Sequence, residues 1–255
     1  MQKFIPYKNI QIAFTAQGKG EAIVLLHGFL ENSTMWENVI PALEKNYQVI
    51  TIDLLGHGNT ERLGYIHTME EMAQTVSYVL DHLQIEKASF LGHSMGGYVA
   101  LAFAELFPLR IEKLLLLNST PLADSHERVA NRNRAIRLVK QNKNAFISMA
   151  ITNLFGKESR EQLREKINAL VKEAQQLPTE HIVAAMEGLK ARKDRTHILK
   201  NFTGEKIFLA GEEDEIVTLE SLQQLAKKTN TQLKTFKGGH MTHLEANEEL
   251  LGFLK

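Results

Sequence analysis

Short apolar runs of strand length recur along this chain, separated by stretches with helical spacing. Ala22-Ile23-Val24-Leu25-Leu26 has no polar interruption at all. A strand tolerates that only when both of its faces are buried. Tyr47 to Ile52, Ala88 to Leu91, Lys113 to Leu117, Lys206 to Ala210 and Gln232 to Phe236 repeat the theme, and Ile10 to Phe14 alternates as an early strand. Between them, Met69, Met72, Ala73, Val76, Leu80 and Leu83 form one helical stripe, opened by the capping pair Thr68 and Glu71. Ala100, Phe103, Ala104 and Phe107 mark a second helix that Pro108 stops. Leu222, Leu225 and Ala226 mark a third, and Leu250, Leu251 and Leu254 a C-terminal one. Strands alternating with helices predict an α/β fold with a mostly parallel, doubly wound sheet.

One segment breaks the alternation. From Pro121 to Lys200 helical patterns dominate and no strand stands out. The expected organisation is a sheet-based core over 1–120 and 201–255, with 121–200 inserted as a helical cap over one end of the sheet. Packing of those helices against the side of the sheet is the alternative. The 255 residues suffice for a full core without staples. The absence of cysteine removes disulfides, thiolate metal sites and cysteine nucleophiles, and fits a cytoplasmic address. Thirty basic and 30 acidic side chains give no net charge, which argues against nucleic acid or an anionic membrane surface as partner. No apolar stretch approaches a membrane span, and the first residues do not read as a signal peptide.

The balance hides a split. Residues 121–200 carry 16 basic and nine acidic side chains, whereas the remainder carries 14 and 21. A positive insertion over a negative core can steer anionic substrates, or can hold the insertion down by attraction.

The chemistry centres on Gly92-His93-Ser94-Met95-Gly96, which lies between a strand and a helix. A tight turn there lifts the Ser94 hydroxyl clear of the sheet edge. Side chains two residues to either side would strike neighbouring backbone, so glycine occupies both places. A serine hydroxyl needs a base to become a nucleophile. Gly238-Gly239-His240 follows the last strand and supplies His240, with His243 as the near rival. The acid that orients this histidine is sought in Glu212-Glu213-Asp214-Glu215, after the strand ending at Ala210. Asp214 is the choice, ahead of Glu215 and Glu213. An oxyanion would be held by backbone N–H groups of Met95, after the nucleophile, and Phe29, in the loop after Leu26.

Leu26-His27-Gly28-Phe29, Asp53 to Gly58, Gly92 to Gly97, Gly211 to Val217 and Gly239-His240 stand in an order that resembles the α/β-hydrolase superfamily. The similarity runs from about Ile10 to the C-terminus. It is nearest to small serine esterases, enol-lactonases and cofactor-free perhydrolases. The resemblance implies a helical cap and an acyl-serine intermediate. It also implies structural roles for Asp53 and His57, and for His27 an ordering role in the oxyanion loop. Some members carry the acid at the position held here by Asn118, which leaves Asp214 nearly alone.

The expected function is ester hydrolysis on a small-molecule ester or related acyl substrate, without cofactor or metal, by a monomer or small homo-oligomer. Carbon–carbon hydrolysis, thioester hydrolysis, a menaquinone-pathway lyase and a weakly catalytic ligand receptor are the alternatives. Phe146, Met149, Leu154, Phe155 and Met186 are candidates to line an acyl pocket, or else to glue the insertion to the core. Arg128, Arg132, Arg134, Arg137, Lys140 and Lys143 form a basic segment that reads as a solvated face. An anion site for an acidic substrate is its rival reading.

Overall fold

The computed structural model of the protein describes residues 1–255. Its eight strands are β1 (Lys3–Tyr7), β2 (Ile10–Gln17), β3 (Glu21–Leu26), β4 (Tyr47–Ile52), β5 (Ala88–His93), β6 (Ile111–Leu117), β7 (Glu205–Gly211) and β8 (Gln232–Phe236). They form one sheet in the order β1-β2-β4-β3-β5-β6-β7-β8. The pairs β1–β2 and β2–β4 are antiparallel and the rest are parallel. Strand β1 escapes the sequence reading. It is an edge strand whose outward Phe4 is exposed, and its Pro6 is tolerated there because an edge strand leaves one side unpaired.

The apolar runs are buried on both faces, as their composition predicts. Ala22, Val24 and Leu26 of β3 join the larger core cluster, while Ile23 and Leu25 join the smaller one behind the sheet. The larger cluster includes the inward stripes of helices Met69–His82, Met95–Leu106 and Leu219–Thr229. The smaller one holds Trp36, which ends a short 3-10 turn, and Leu250 of helix Asn247–Leu254. The Thr68 hydroxyl caps Glu71 N–H at 3.1 Å, as its spacing predicts.

Between β6 and β7 the regular structure is all helical: His126–Thr152, Lys157–Gln162, Arg164–Ala174, Thr179–Ala191 and Thr196–Asn201. The first of these is broken at Asn142, whose φ of −150° and ψ of 81° are non-helical. The Asn142 side chain accepts the Ala145 N–H at 3.1 Å and so restarts the helix. The inserted helices share a 12-residue apolar cluster of their own, to which Leu30 and Met241 are contributed from loops at the sheet edge. Leu189 and Leu199 belong to the core cluster of the sheet, whereas Ile182 and Met186 stay in the insertion's cluster, so helix Thr179–Ala191 packs on both.

Candidate active site

Ser94 sits between β5 and helix Met95–Leu106 with φ +48° and ψ −110°. This is strained for a residue with a β-carbon. The strain is held in place by the Ser94 N–H donating to Leu117 carbonyl at 2.9 Å and by Ser119 Oγ donating to the Ser94 carbonyl at 2.8 Å. A β-carbon on Gly92 would come within 2.5 Å of Gly96 and Gly97 backbone, and one on Gly96 would overlap the Leu26 carbonyl. The motif glycines are therefore steric requirements of this turn.

The turn at the end of β5, the loop after β7 and the loop after β8 converge at one edge of the sheet. Ser94 Oγ donates to His240 Nε2 at 2.8 Å, and His240 Nδ1 donates to Asp214 Oδ2 at 2.7 Å. Asp214 alone among the four neighbouring acids is buried. Its Oδ1 accepts the Ile216 and Val217 N–H groups at 2.8 and 2.9 Å, and Asn118 Nδ2 adds a bond to Oδ2 at 3.0 Å. Burial alone would raise the Asp214 pKa. The His240 ring and these hydrogen bonds outweigh it and hold the carboxyl below its ordinary value. Asn118, noted in the sequence only as a position lacking an acid, thus supports the acid that is present. His243 is buried too, but both of its ring nitrogens lack a hydrogen-bond partner, and burial lowers its pKa to about 3.

Sequence reasoning missed the group beneath Ser94. Glu31 Oε2 accepts Gly28 N–H at 2.6 Å and His93 Nδ1–H at 2.8 Å. His93 Nε2 lies 2.9 Å from the His240 carbonyl. Both His93 partners are acceptors, so both ring nitrogens donate and the ring is an imidazolium. Burial opposes that charge, but the Glu31 carboxylate prevails and raises the His93 pKa. Reciprocally, burial would raise Glu31, yet His93 pulls it down to about 2. The pair ties the Phe29 loop to the nucleophile turn and to the His240 backbone. A spacing rule could not find it, because the two residues are 62 positions apart. Glu31, His93 and His243 also bring three possible metal-ligand atoms within 4.8 Å of one another. Hydrogen bonds already occupy both His93 nitrogens and one Glu31 oxygen.

His27 orders its loop as the family resemblance implies. Its Nε2 accepts Leu54 N–H at 2.9 Å and its Nδ1 donates to Gly28 carbonyl at 2.7 Å. Asp53 accepts N–H groups of Ser33 and Asn59, away from Ser94, and is structural in that sense. Phe29 and Met95 border the same cavity as Ser94 and His240. The Met95 N–H opens its helix, where no carbonyl one turn earlier is available to it.

The cavity has a volume of about 280 Å³ and lies between this edge and the inserted helices. Of the five pocket candidates it keeps only Leu154. Phe146, Phe155 and Met186 are buried in the apolar cluster of the insertion, and Met149 is half exposed. Their stripe packs helix against helix, and so does not face the cavity. Two residues of the basic segment take their place. Arg128 and Arg132 border the cavity, while Arg134, Arg137 and Lys140 are solvent-exposed as expected.

The sequence pattern of the α/β hydrolase fold matches residues 21–247. The chain belongs to that family. A protein of unassigned function from Mycobacterium tuberculosis is 38% identical over 107 residues, which are 42% of this chain and 31% of that protein. The chain thus spans about a third of the length of the first curated relatives it matches. The 2-hydroxy-6-oxo-2,4-heptadienoate hydrolase of Pseudomonas putida is 26% identical over 250 residues, covering 93% of this chain and 88% of the relative. Among solved structures, a thermophilic esterase from Thermogutta terrifontis, with malate bound, superposes with a TM-score of 0.92 at 29% identity. That match covers 100% of this chain and 96% of the esterase.

Proposed function

We propose that the protein is a serine hydrolase cleaving small carboxylic esters, with the helices inserted between β6 and β7 acting as its cap. The observation that carries this reading is the continuous hydrogen-bonded line Ser94–His240–Asp214, open to a cavity at its Ser94 end. Ser94 Oγ attacks the ester carbonyl carbon as its proton passes to His240 Nε2. The buried Asp214 carboxylate stabilises the imidazolium so formed. The carbonyl electron pair moves to oxygen, where the Phe29 and Met95 N–H groups hold it. Each donor is worth about 10²–10³ in rate. Collapse expels the alcohol, which takes the proton from His240. Water then attacks the acyl-serine, giving its proton to His240 and the acid as product, and Ser94 recovers its proton.

Labelling by a fluorophosphonate and turnover of p-nitrophenyl esters test the reading. Ser94→Ala is expected to abolish labelling and to lower kcat by about 10⁶. Persistent labelling of Ser94→Ala would remove Ser94 from its role. The full-length likeness to the Pseudomonas putida hydrolase favours carbon–carbon cleavage as the second reading. Labelled Ser94 with negligible turnover across an ester chain-length series supports it.

A further inference from the structure

The cavity over Ser94 has an unusual polar lining. Ser94, His93 and His240 border it, and Asn153, Arg128, Arg132 and the Tyr98 hydroxyl are the other polar groups. No carboxylate borders it. Arg128 and Arg132 lie one helical turn apart, so they present their side chains on one face.

The two arginines are held differently. Arg132 pairs with Asp124, whose side chain is fully buried. Asp124 also receives the buried Arg192 at 2.7 Å. One carboxylate thus serves two guanidinium groups, and a positive charge is left over. This arrangement fixes Arg132 without neutralising the wall it stands in. Arg128 has no carboxylate partner at all. Its guanidinium donates to the Ile216 carbonyl, on the loop that also carries Asp214. Its other guanidinium donors have no hydrogen-bond partner in the protein, and Arg128 borders the cavity. A guanidinium beside a small, mostly apolar cavity matches a carboxylate in charge and in geometry, through two parallel hydrogen bonds.

We propose that the substrate is an ester bearing a free carboxylate, such as a half-ester of a short dicarboxylic acid. Its ester carbonyl lies at Ser94, and its carboxylate is held by Arg128 with Arg132 behind it. This deepens the proposed function and rests on Ser94 being the nucleophile. The volume of about 280 Å³ restricts it to small acids. Arg128 is the specificity-determining residue, and Asp124 is the positioning residue for Arg132.

The experiment compares two esters of equal length, p-nitrophenyl hydrogen succinate and its neutral methyl diester. Wild type is expected to favour the anionic ester by about 10–100-fold in kcat/KM, the range of one or two charge-assisted hydrogen bonds. In Arg128→Met the ratio of the two kcat/KM values falls at least tenfold, mostly through KM, and Arg128→Lys recovers part of it. Equal preference in wild type, or an equal loss on both esters in Arg128→Met, would overturn the proposal while leaving the esterase reading intact. Binding separates the two readings further. Succinate is titrated calorimetrically into Ser94→Ala, with and without Arg128→Met. Saturable binding that Arg128→Met weakens tenfold or more supports the anion site even if neither ester is hydrolysed. Absence of binding counts against it.

Discussion

The Glu31 carboxylate is the counterion of a buried imidazolium, and its removal has a defined consequence. Glu31→Gln keeps an acceptor for the Gly28 N–H but cannot neutralise His93. Breaking a buried pair from one side costs about 3–5 kcal/mol. Urea unfolding at pH 6.5 is expected to show a loss of that order, and the His93 resonance should titrate below its wild-type value. Unchanged stability would mean that the pair is not ionised. At this scale, Ser94, Asp214 and His240 were legible because their chemistry travels with local sequence: a glycine-framed turn, an acidic loop, a double glycine before histidine. Glu31, Asn118 and Asp124 were not. Glu31 and Asn118 act on groups 62 and 96 positions away, and Asp124 joins Arg132, eight positions on, to Arg192, 68 positions on; no local pattern announces such partners.

The element that concentrates most constraint is the turn joining β5 to helix Met95–Leu106. Gly96→Ala puts a methyl group against the Leu26 carbonyl at the end of β3. The strand cannot retreat, since it is paired on both sides by β4 and β5. A stability loss of about 1–3 kcal/mol is expected from the forced backbone shift, together with loss of fluorophosphonate labelling. A variant that labelled at the wild-type rate would contradict the steric reading. Strand and helix positions were readable because period and burial leave their mark on each run. The pocket residues were misread for the same reason. Periodicity identifies the buried face of a helix but not what covers it. Phe146 and Met186 face other inserted helices, whereas Arg128 and Arg132 border the cavity over Ser94.

At the scale of the whole molecule, the charge split is worked into the packing. Arg195, almost completely buried, bridges Glu70 at 2.6 Å and Glu105 at 3.0 Å, on two helices that flank the sheet. The end of the positive insertion is therefore bound to the negative core by ion pairs, in line with the attraction reading. The buried histidines give the fold its pH dependence. His243 is held neutral by burial, with its pKa lowered from 6.5 to about 3. The unfolded chain protonates it near 6.5, so its contribution to stability is complete above that pH and declines as pH falls toward 3. Glu31 contributes fully above 4.5 and loses its contribution as pH drops through about 2. His93, with a raised value, acts oppositely: its contribution is present below 6.5 and is lost as pH rises through its folded value. Unfolding free energy measured from pH 6.5 to 4 should fall with a slope that His243→Gln reduces by about 1.4 kcal/mol per pH unit, one proton's worth. Parallel slopes in the two proteins would exclude His243 as a contributor.

The His240 N–H donates to the Leu154 carbonyl at 2.8 Å, just past the end of helix His126–Thr152. Glu245 fastens the same corner by accepting the Gly156 and Gly239 N–H groups at 2.8 and 2.9 Å. The far half of that helix, before the break at Asn142, has no such fastening to the histidine loop. In the proposed hydrolase the inserted helices would be a door whose jamb is the general base itself. Swinging it from the Leu154 side would pull His240 away from Ser94 and disarm the site. Opening from the Arg128 side breaks the Arg128 bond to the Ile216 carbonyl but no bond within the line of Ser94, His240 and Asp214. Traffic should pass between Arg128 and Ile216, and amides of residues 129–141 should exchange with solvent faster than those of residues 146–154. On the proposed reading, an enzyme built this way would admit its substrate past the group that recognises the substrate's charge, while the hydrolytic machinery stays assembled.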